Sequence, residues 1–182
     1  RKNLITGEAT ASYFPHPFVP ARVHKLLPLV KLIVILRNPV ERAYSSFHYK
    51  VKLGEQIAEN FEDAIKTELK RIEIENTKPE FKIGNAKYDH PSFSYLRHGL
   101  YAQHLEKWLK FFPKEQLLII HTKEFQNNTE ITLAKTFDFL GLPKYKIKSV
   151  DKKKIRKIFS RGGYESDITQ KIGSGTQTLF NE

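Results

Sequence analysis

Arg37 and Ser45 are the two residues whose types and spacing bear most directly on chemistry. Both lie in the stretch Lys31 to Tyr49, KLIVILRNPVERAYSSFHY. A guanidinium offers paired donors in a fixed plane, and a hydroxyl adds another, a set suited to holding a phosphate. Leu32 to Leu36 is a run of five aliphatic residues rich in Val and Ile, which predicts a strand buried on both faces. Pro39 suits the first turn of a helix because it has no amide proton to leave unpaired. Arg37 is then expected at the carboxyl end of a parallel strand, where open α/β sheets bind ligands. Ser45 follows about two helical turns later, on the side that can face back toward that end. Geometry alone leaves a second reading open, with Arg37 paired to a carboxylate and Ser45 an incidental helix serine.

These residues also carry a resemblance. RNPVERAYSSF is similar to the 3′-phosphate-binding motif of sulfotransferases that use 3′-phosphoadenosine 5′-phosphosulfate (PAPS), in the heparan sulfate branch of the carbohydrate enzymes. GEATASYF (Gly7 to Phe14) resembles the short strand-and-loop that this family places just upstream. RHGLYAQHLEKWLKFFPKEQLLII (Arg97 to Ile120) resembles its later helix-plus-strand, and FDFLGLP (Phe137 to Pro143) follows in order. The resemblance covers residues 3–143 and implies a P-loop-like three-layer α/β/α sandwich with a central parallel sheet, incomplete at the N-terminus. It implies that Arg37 and Ser45 grip the 3′-phosphate. It further implies transfer of a sulfuryl group to a hydroxyl or amine of an acceptor, a carbohydrate by family, without a metal.

Other positions follow from the same resemblance. The family closes a basic, glycine-containing loop over the 3′-phosphate, and Ser160 to Tyr164 is its counterpart here. Arg161 would pair with the phosphate, Gly162 would let backbone amides approach, and Tyr164 would add a hydroxyl. The usual Lys-Gly-Arg order is absent. Several relatives carry a lysine where this chain has Ala9. A lysine-bearing loop reading strand–PKxGT–helix, which wraps the 5′-phosphosulfate, is not found. The sequence begins at Arg1 and holds no methionine, so the expectation is a C-terminal portion of a longer catalytic domain.

Glu8 and His48 are the local candidates for a catalytic base. Glu8 follows an expected strand, Lys2 to Thr6, in a glycine turn beside the Arg37 strand end; a structural capping or pairing role is its alternative. His48 lies three residues beyond Ser45 on the same helix face, where a neutral imidazole reaches an acceptor or simply faces solvent. The seven histidines show no HExxH pattern, and no metal site is expected. With no cysteine, disulfides, Cys-ligated zinc and a thiol nucleophile are excluded, which fits a reducing, cytoplasmic compartment, or the Golgi lumen for a membrane-anchored relative.

The elements that must position these groups can be read from periodicity. Pro20 to Leu29 reads as a helix, Pro39 to Leu53 as the motif helix closed by Gly54, and Asn60 as the cap of a third helix with an apolar stripe of Phe61, Ile65, Leu69 and Ile72. Residues 76–96 read as a long polar loop. Tyr101, Leu105, Trp108 and Phe112 line the next helix, with Arg97 and His98 at its start. Leu117 to His121 reads as a second buried strand. Ile131, Ala134, Phe137 and Leu140 mark a last helix ended by Gly141 and Pro143. Strands alternating with helices imply a parallel sheet in one α/β domain spanning 1–182.

Charge is concentrated late in the chain. Lys144 to Arg161 holds nine Lys or Arg and one acid, a surplus of eight out of the net +11. The 144–164 segment is thus either a solvated basic loop or an anion-binding patch that raises local ligand concentration. A non-catalytic basic module for nucleic acid or sulfated glycan is the alternative function. Aromatics are not interleaved with these basic residues as single-strand binders require, so no nucleic acid is expected. No GxxxxGK[ST] supports a kinase-like reading, and no apolar run approaches the ~18 residues of a membrane helix.

Overall fold

The structure, a computed structural model, describes residues 5–77 and 94–144. Its centre is a pair of parallel strands, β1 (Leu32–Leu36) and β2 (Leu117–His121), in the register Leu32 opposite Leu117 through Leu36 opposite His121. Five aliphatic residues in β1 and four before His121 in β2 extend because branched side chains pack well on a pleated surface. Gln116 fixes the entry to both strands: its Nε2 donates to the carbonyls of Pro28 at 3.0 Å and Val30 at 2.9 Å. At the opposite end the Thr122 hydroxyl donates to the Leu36 carbonyl at 2.9 Å.

Burial of β1 on both faces does not hold. Ile33 and Ile35 are exposed, Ile35 at 56%, while across the pair Leu118 is half-buried and Ile120 buried. On the other face Ile119 is exposed and Leu36 is buried. Each face is thus sheltered over one strand and open over the other among the described residues. No strand forms at Ile5 and Thr6, because a strand exists only by pairing and the described ladder contains β1 and β2 alone. The rest of that expected strand lies outside the described residues.

The helices follow their punctuation. α1 (Val19–Leu26) stops three residues short of the expected Leu29, since Pro28 disfavours helical geometry at Leu27, which sits at φ −140°. α2 (Pro39–Lys52) starts on Pro39 with Asn38 as its cap and is closed by Gly54 at φ 70°. α3 (Phe61–Thr77) is capped reciprocally: Asn60 accepts from the Asp63 amide at 2.9 Å and donates to the Asp63 carboxylate at 2.7 Å. A short 3-10 turn, Arg97–Gly99, precedes α4 (Tyr101–Leu109), so Arg97 and His98 stand before that helix rather than in its first turn. α5 (Thr122–Asn127) and α6 (Thr129–Leu140) follow β2, and Gly141 at φ 73° ends α6 with a Leu142 amide bonded to the Phe137 carbonyl at 2.8 Å.

Two stripes are rotated from their expected faces. In α3 the buried row is Phe61, Ala64, Ile65 and Glu68, whereas Leu69 is 37% exposed. In α6 Thr132 is buried and Ile131 and Ala134 are exposed. The main core joins α2 to α3 through Ala43, Phe47, Phe61, Ala64, Ile65 and Tyr95. Phe47, Phe61 and Tyr95 meet edge to face at 5.6–6.3 Å, a favoured aromatic geometry. Ser94 and Tyr95 are buried, so the segment expected as a polar loop re-enters the core at its end. A second cluster ties the early chain to α4: Trp108 Nε1 donates to the Phe14 carbonyl at 3.0 Å, and the Phe14 ring meets His104 at 5.4 Å.

Candidate functional site

Arg37 leaves β1 at its carboxyl end and is half-buried. The turn that follows is set by two residues. The Asn38 side chain accepts from the Val40 amide at 3.0 Å and the Glu41 amide at 3.2 Å, satisfying two of the unpaired amides of a new helix. Pro39 supplies a preset φ at the next position. Glu41, in the first turn of α2, accepts from Arg37 Nε at 3.1 Å through Oε2, and its Oε1 stands 3.5 Å from Lys123 Nζ. Lys123 comes just past the end of β2, so the two adjacent strand ends present two cations with one carboxylate between them.

A second layer fixes the backbone of that turn. Tyr101, first residue of α4, accepts at its hydroxyl oxygen from the Arg37 backbone amide and the Arg42 guanidinium, and burial pushes its pKa up against the pull of both cations. Arg42 donates from Nη2 to the Tyr95 carbonyl, while its Nε is buried without a partner among the described residues. Burial lowers the Arg42 pKa, with Tyr101 and Glu68 acting against that. Glu68, 2% exposed, accepts from the amides of Leu96 at 2.8 Å and Arg97 at 3.2 Å. Desolvation raises its pKa despite those donors and the nearby Arg71. Tyr95, whose hydroxyl accepts from Gln56 Nε2 at 2.9 Å, is pushed up to about 12 by burial. Glu68 and Arg42 thus grip residues 95–97 from two sides and press the 3-10 turn onto α2. Gly99 makes that approach possible, since a Cβ there would lie 3.0 Å from the Pro39 Cβ.

The expected site residues are not all gathered here. Ser45 is half-buried on α2, and His48 is exposed, its ring edge-on to Tyr44 at 4.4 Å and Phe47 at 5.3 Å. Glu8 is exposed and accepts a hydrogen bond from the Thr10 hydroxyl, a local pairing of the capping kind. Arg161, Gly162 and Tyr164 lie outside the described residues, as does the basic block apart from Lys144. Among the described residues no group of His, Asp or Glu is arranged to hold a metal ion. Arg37 is paired to a carboxylate, as its second reading has it, and the partner is Glu41; Lys123 and the Tyr101 hydroxyl were not anticipated. The four-residue spacing from Arg37 to Glu41 was a usable signal, whereas Lys123 needed the strand register.

Residues 8–162 match the Sulfotransferase domain. The chain belongs to the sulfotransferase family. Within that family it is 34% identical over 139 residues to heparan sulfate glucosamine 3-O-sulfotransferase 6 of Mus musculus, covering 76% of this chain and 35% of the relative. It is 31% identical over 140 residues to the bifunctional heparan sulfate N-deacetylase/N-sulfotransferase 2 of Bos taurus, covering 74% of this chain and 14% of that one. The sulfotransferase-family chain therefore spans about a third or less of the length of these curated relatives. A solved sulfotransferase from Alicyclobacillus acidocaldarius superposes with a TM-score of 0.63 at 23% identity, covering 86% of this chain and 60% of that one. That likeness carries the fold: an α/β architecture with a parallel sheet. No helix among the described residues is long and apolar enough to cross a membrane.

Proposed function

We propose that this chain contributes the 3′-phosphate-binding half of a site that transfers a sulfuryl group from PAPS to a hydroxyl or amine of a carbohydrate acceptor. The observation that carries the reading is Arg37 itself: a guanidinium at the carboxyl end of a parallel strand, immediately before a capped helix N-terminus. The helix dipole and a guanidinium there favour a dianion. The relatives named above act on heparan sulfate by name, which supports a carbohydrate acceptor.

Bound PAPS supplies an activated sulfuryl group on a 5′-phosphate leaving group. This chain's residues hold and orient: Arg37 and Ser45 take the 3′-phosphate, and Arg161, Gly162 and Tyr164 close over it. A proton must leave the acceptor as the bond to sulfur forms, and Glu8 and His48 are the local candidates to receive it. The compartment follows the acceptor: the zero cysteine count fits cytoplasm, and a carbohydrate acceptor fits a secretory lumen equally.

Calorimetric titration with 3′-phosphoadenosine 5′-phosphate, against adenosine 5′-phosphate, tests the reading. The 3′-phosphorylated ligand should bind more tightly, and Arg37→Ala should cost about 1.5–3 kcal/mol, roughly ten- to a hundredfold in Kd, on that ligand alone. Equal binding of both nucleotides by folded wild-type protein would refute it.

A further inference from the structure

We propose that Glu41 is a positioning residue that aims the Arg37 guanidinium at the 3′-phosphate, with Lys123 offsetting its charge. The inference rests on the reading above that Arg37 meets that phosphate. A carboxylate beside an anion site opposes binding through its charge. What Glu41 supplies in return is direction. Its Oε2 takes Arg37 Nε, the donor nearest the stem, and because the guanidinium is planar and rigid, fixing Nε sets the direction in which the outer nitrogens project. The Arg37 main chain is held independently, its amide donating to the Tyr101 hydroxyl oxygen. Side chain and backbone are thus each fixed by a separate partner.

The surroundings of Glu41 fit that role. Its side chain is 18% exposed and its own amide is tied to the Asn38 cap, so the carboxylate starts from a rigid base. The second oxygen faces Lys123 Nζ at 3.5 Å. The cluster of two cations and one acid keeps a net positive charge at the two strand ends. A carboxylate that served only the helix dipole would need neither contact.

Orientation and charge separate by substitution. Glu41→Gln keeps an oxygen able to accept from Arg37 Nε and removes the charge. It should bind 3′-phosphoadenosine 5′-phosphate at least as tightly as wild type. Glu41→Ala removes both, and should bind that ligand about tenfold more weakly while leaving adenosine 5′-phosphate unchanged. In an Arg37→Lys background, which has no Nε donor, Glu41→Ala should have no effect on the preference for the 3′-phosphate. Titration calorimetry on variants with unchanged circular dichroism reads all three. The proposal is overturned if Glu41→Ala matches wild type, if Glu41→Gln is as weak as Glu41→Ala, or if the effect persists in the Arg37→Lys background. Should Glu41→Ala not fold, a tenfold loss in Glu41→Gln overturns it alone. Failure of the underlying reading looks different: Arg37→Ala would then bind like wild type.

Discussion

Glu68 shows how a single buried carboxylate can hold a turn and still make stability fall as pH rises through its titration. Its carboxylate accepts from the amides of Leu96 and Arg97, so Glu68→Ala should cost about 2–4 kcal/mol, read as a lower urea midpoint. Glu68→Gln, which keeps one acceptor oxygen, should lose less. The pH dependence has a definite sign. Burial raises the folded-state pKa above the unfolded value, so between those two values the native state holds a proton that the unfolded chain has released. This contribution to stability therefore falls as pH rises through that window, and the fall should be missing in Glu68→Gln. His104 acts oppositely. Desolvation lowers its pKa, its Nε2 meets the Arg97 carbonyl at 2.8 Å, and its Nδ1 is buried without a partner among the described residues. Its contribution is present above the ordinary histidine value and is lost as pH falls below it. Subtracting each variant's stability–pH curve from that of wild type separates the two. Parallel curves for wild type and Glu68→Gln would remove Glu68 from the account.

At the scale of elements, the turn Arg37–Asn38–Pro39 is held by a cap on one side and a glycine contact on the other. Asn38→Ala should cost about 1 kcal/mol by orphaning two amides. Gly99→Ala should cost about 1–3 kcal/mol because its Cβ meets Pro39 at 3.0 Å. Thermal midpoints check both, and an unchanged midpoint in Gly99→Ala would mean the 3-10 turn does not press on α2 as described. Much of this was legible in the sequence, because local rules wrote it: Pro39, Gly54, Asn60 with Asp63, and Gly141 each act within four residues of themselves. Both strands were legible for the same reason. The α3 stripe was misread because an apolar count prefers Leu69, whereas Glu68 is drawn inward by amides 28 and 29 residues away. Lys123 beside Glu41 was illegible too, since only the strand register brings positions 41 and 123 together. The strand expected before Glu8 was misjudged at Ile5 and Thr6, because a strand needs a partner and the described ladder holds β1 and β2 alone.

For the molecule as a whole, two mechanisms of anion binding compete to explain any affinity for a 3′-phosphate. The net charge of +11, most of it between Lys144 and Arg161, draws every polyanion through a diffuse field. Arg37, fixed by Glu41 and Tyr101, offers a contact of hydrogen-bond range. Salt separates them, because the screening length falls from about 10 Å at 0.1 M to about 3 Å at 1 M and erases the field before the contact. Wild type should therefore keep its preference for 3′-phosphoadenosine 5′-phosphate over adenosine 5′-phosphate at 1 M salt, although both bind more weakly. Arg37→Ala should show a small residual preference at 0.1 M that disappears at 1 M. If instead the wild-type preference vanishes with salt as it does in the variant, the field alone holds the nucleotide. A basic module for sulfated glycan or nucleic acid would then account for the chain better than a nucleotide half-site, and heparin should displace the nucleotide completely at 0.1 M.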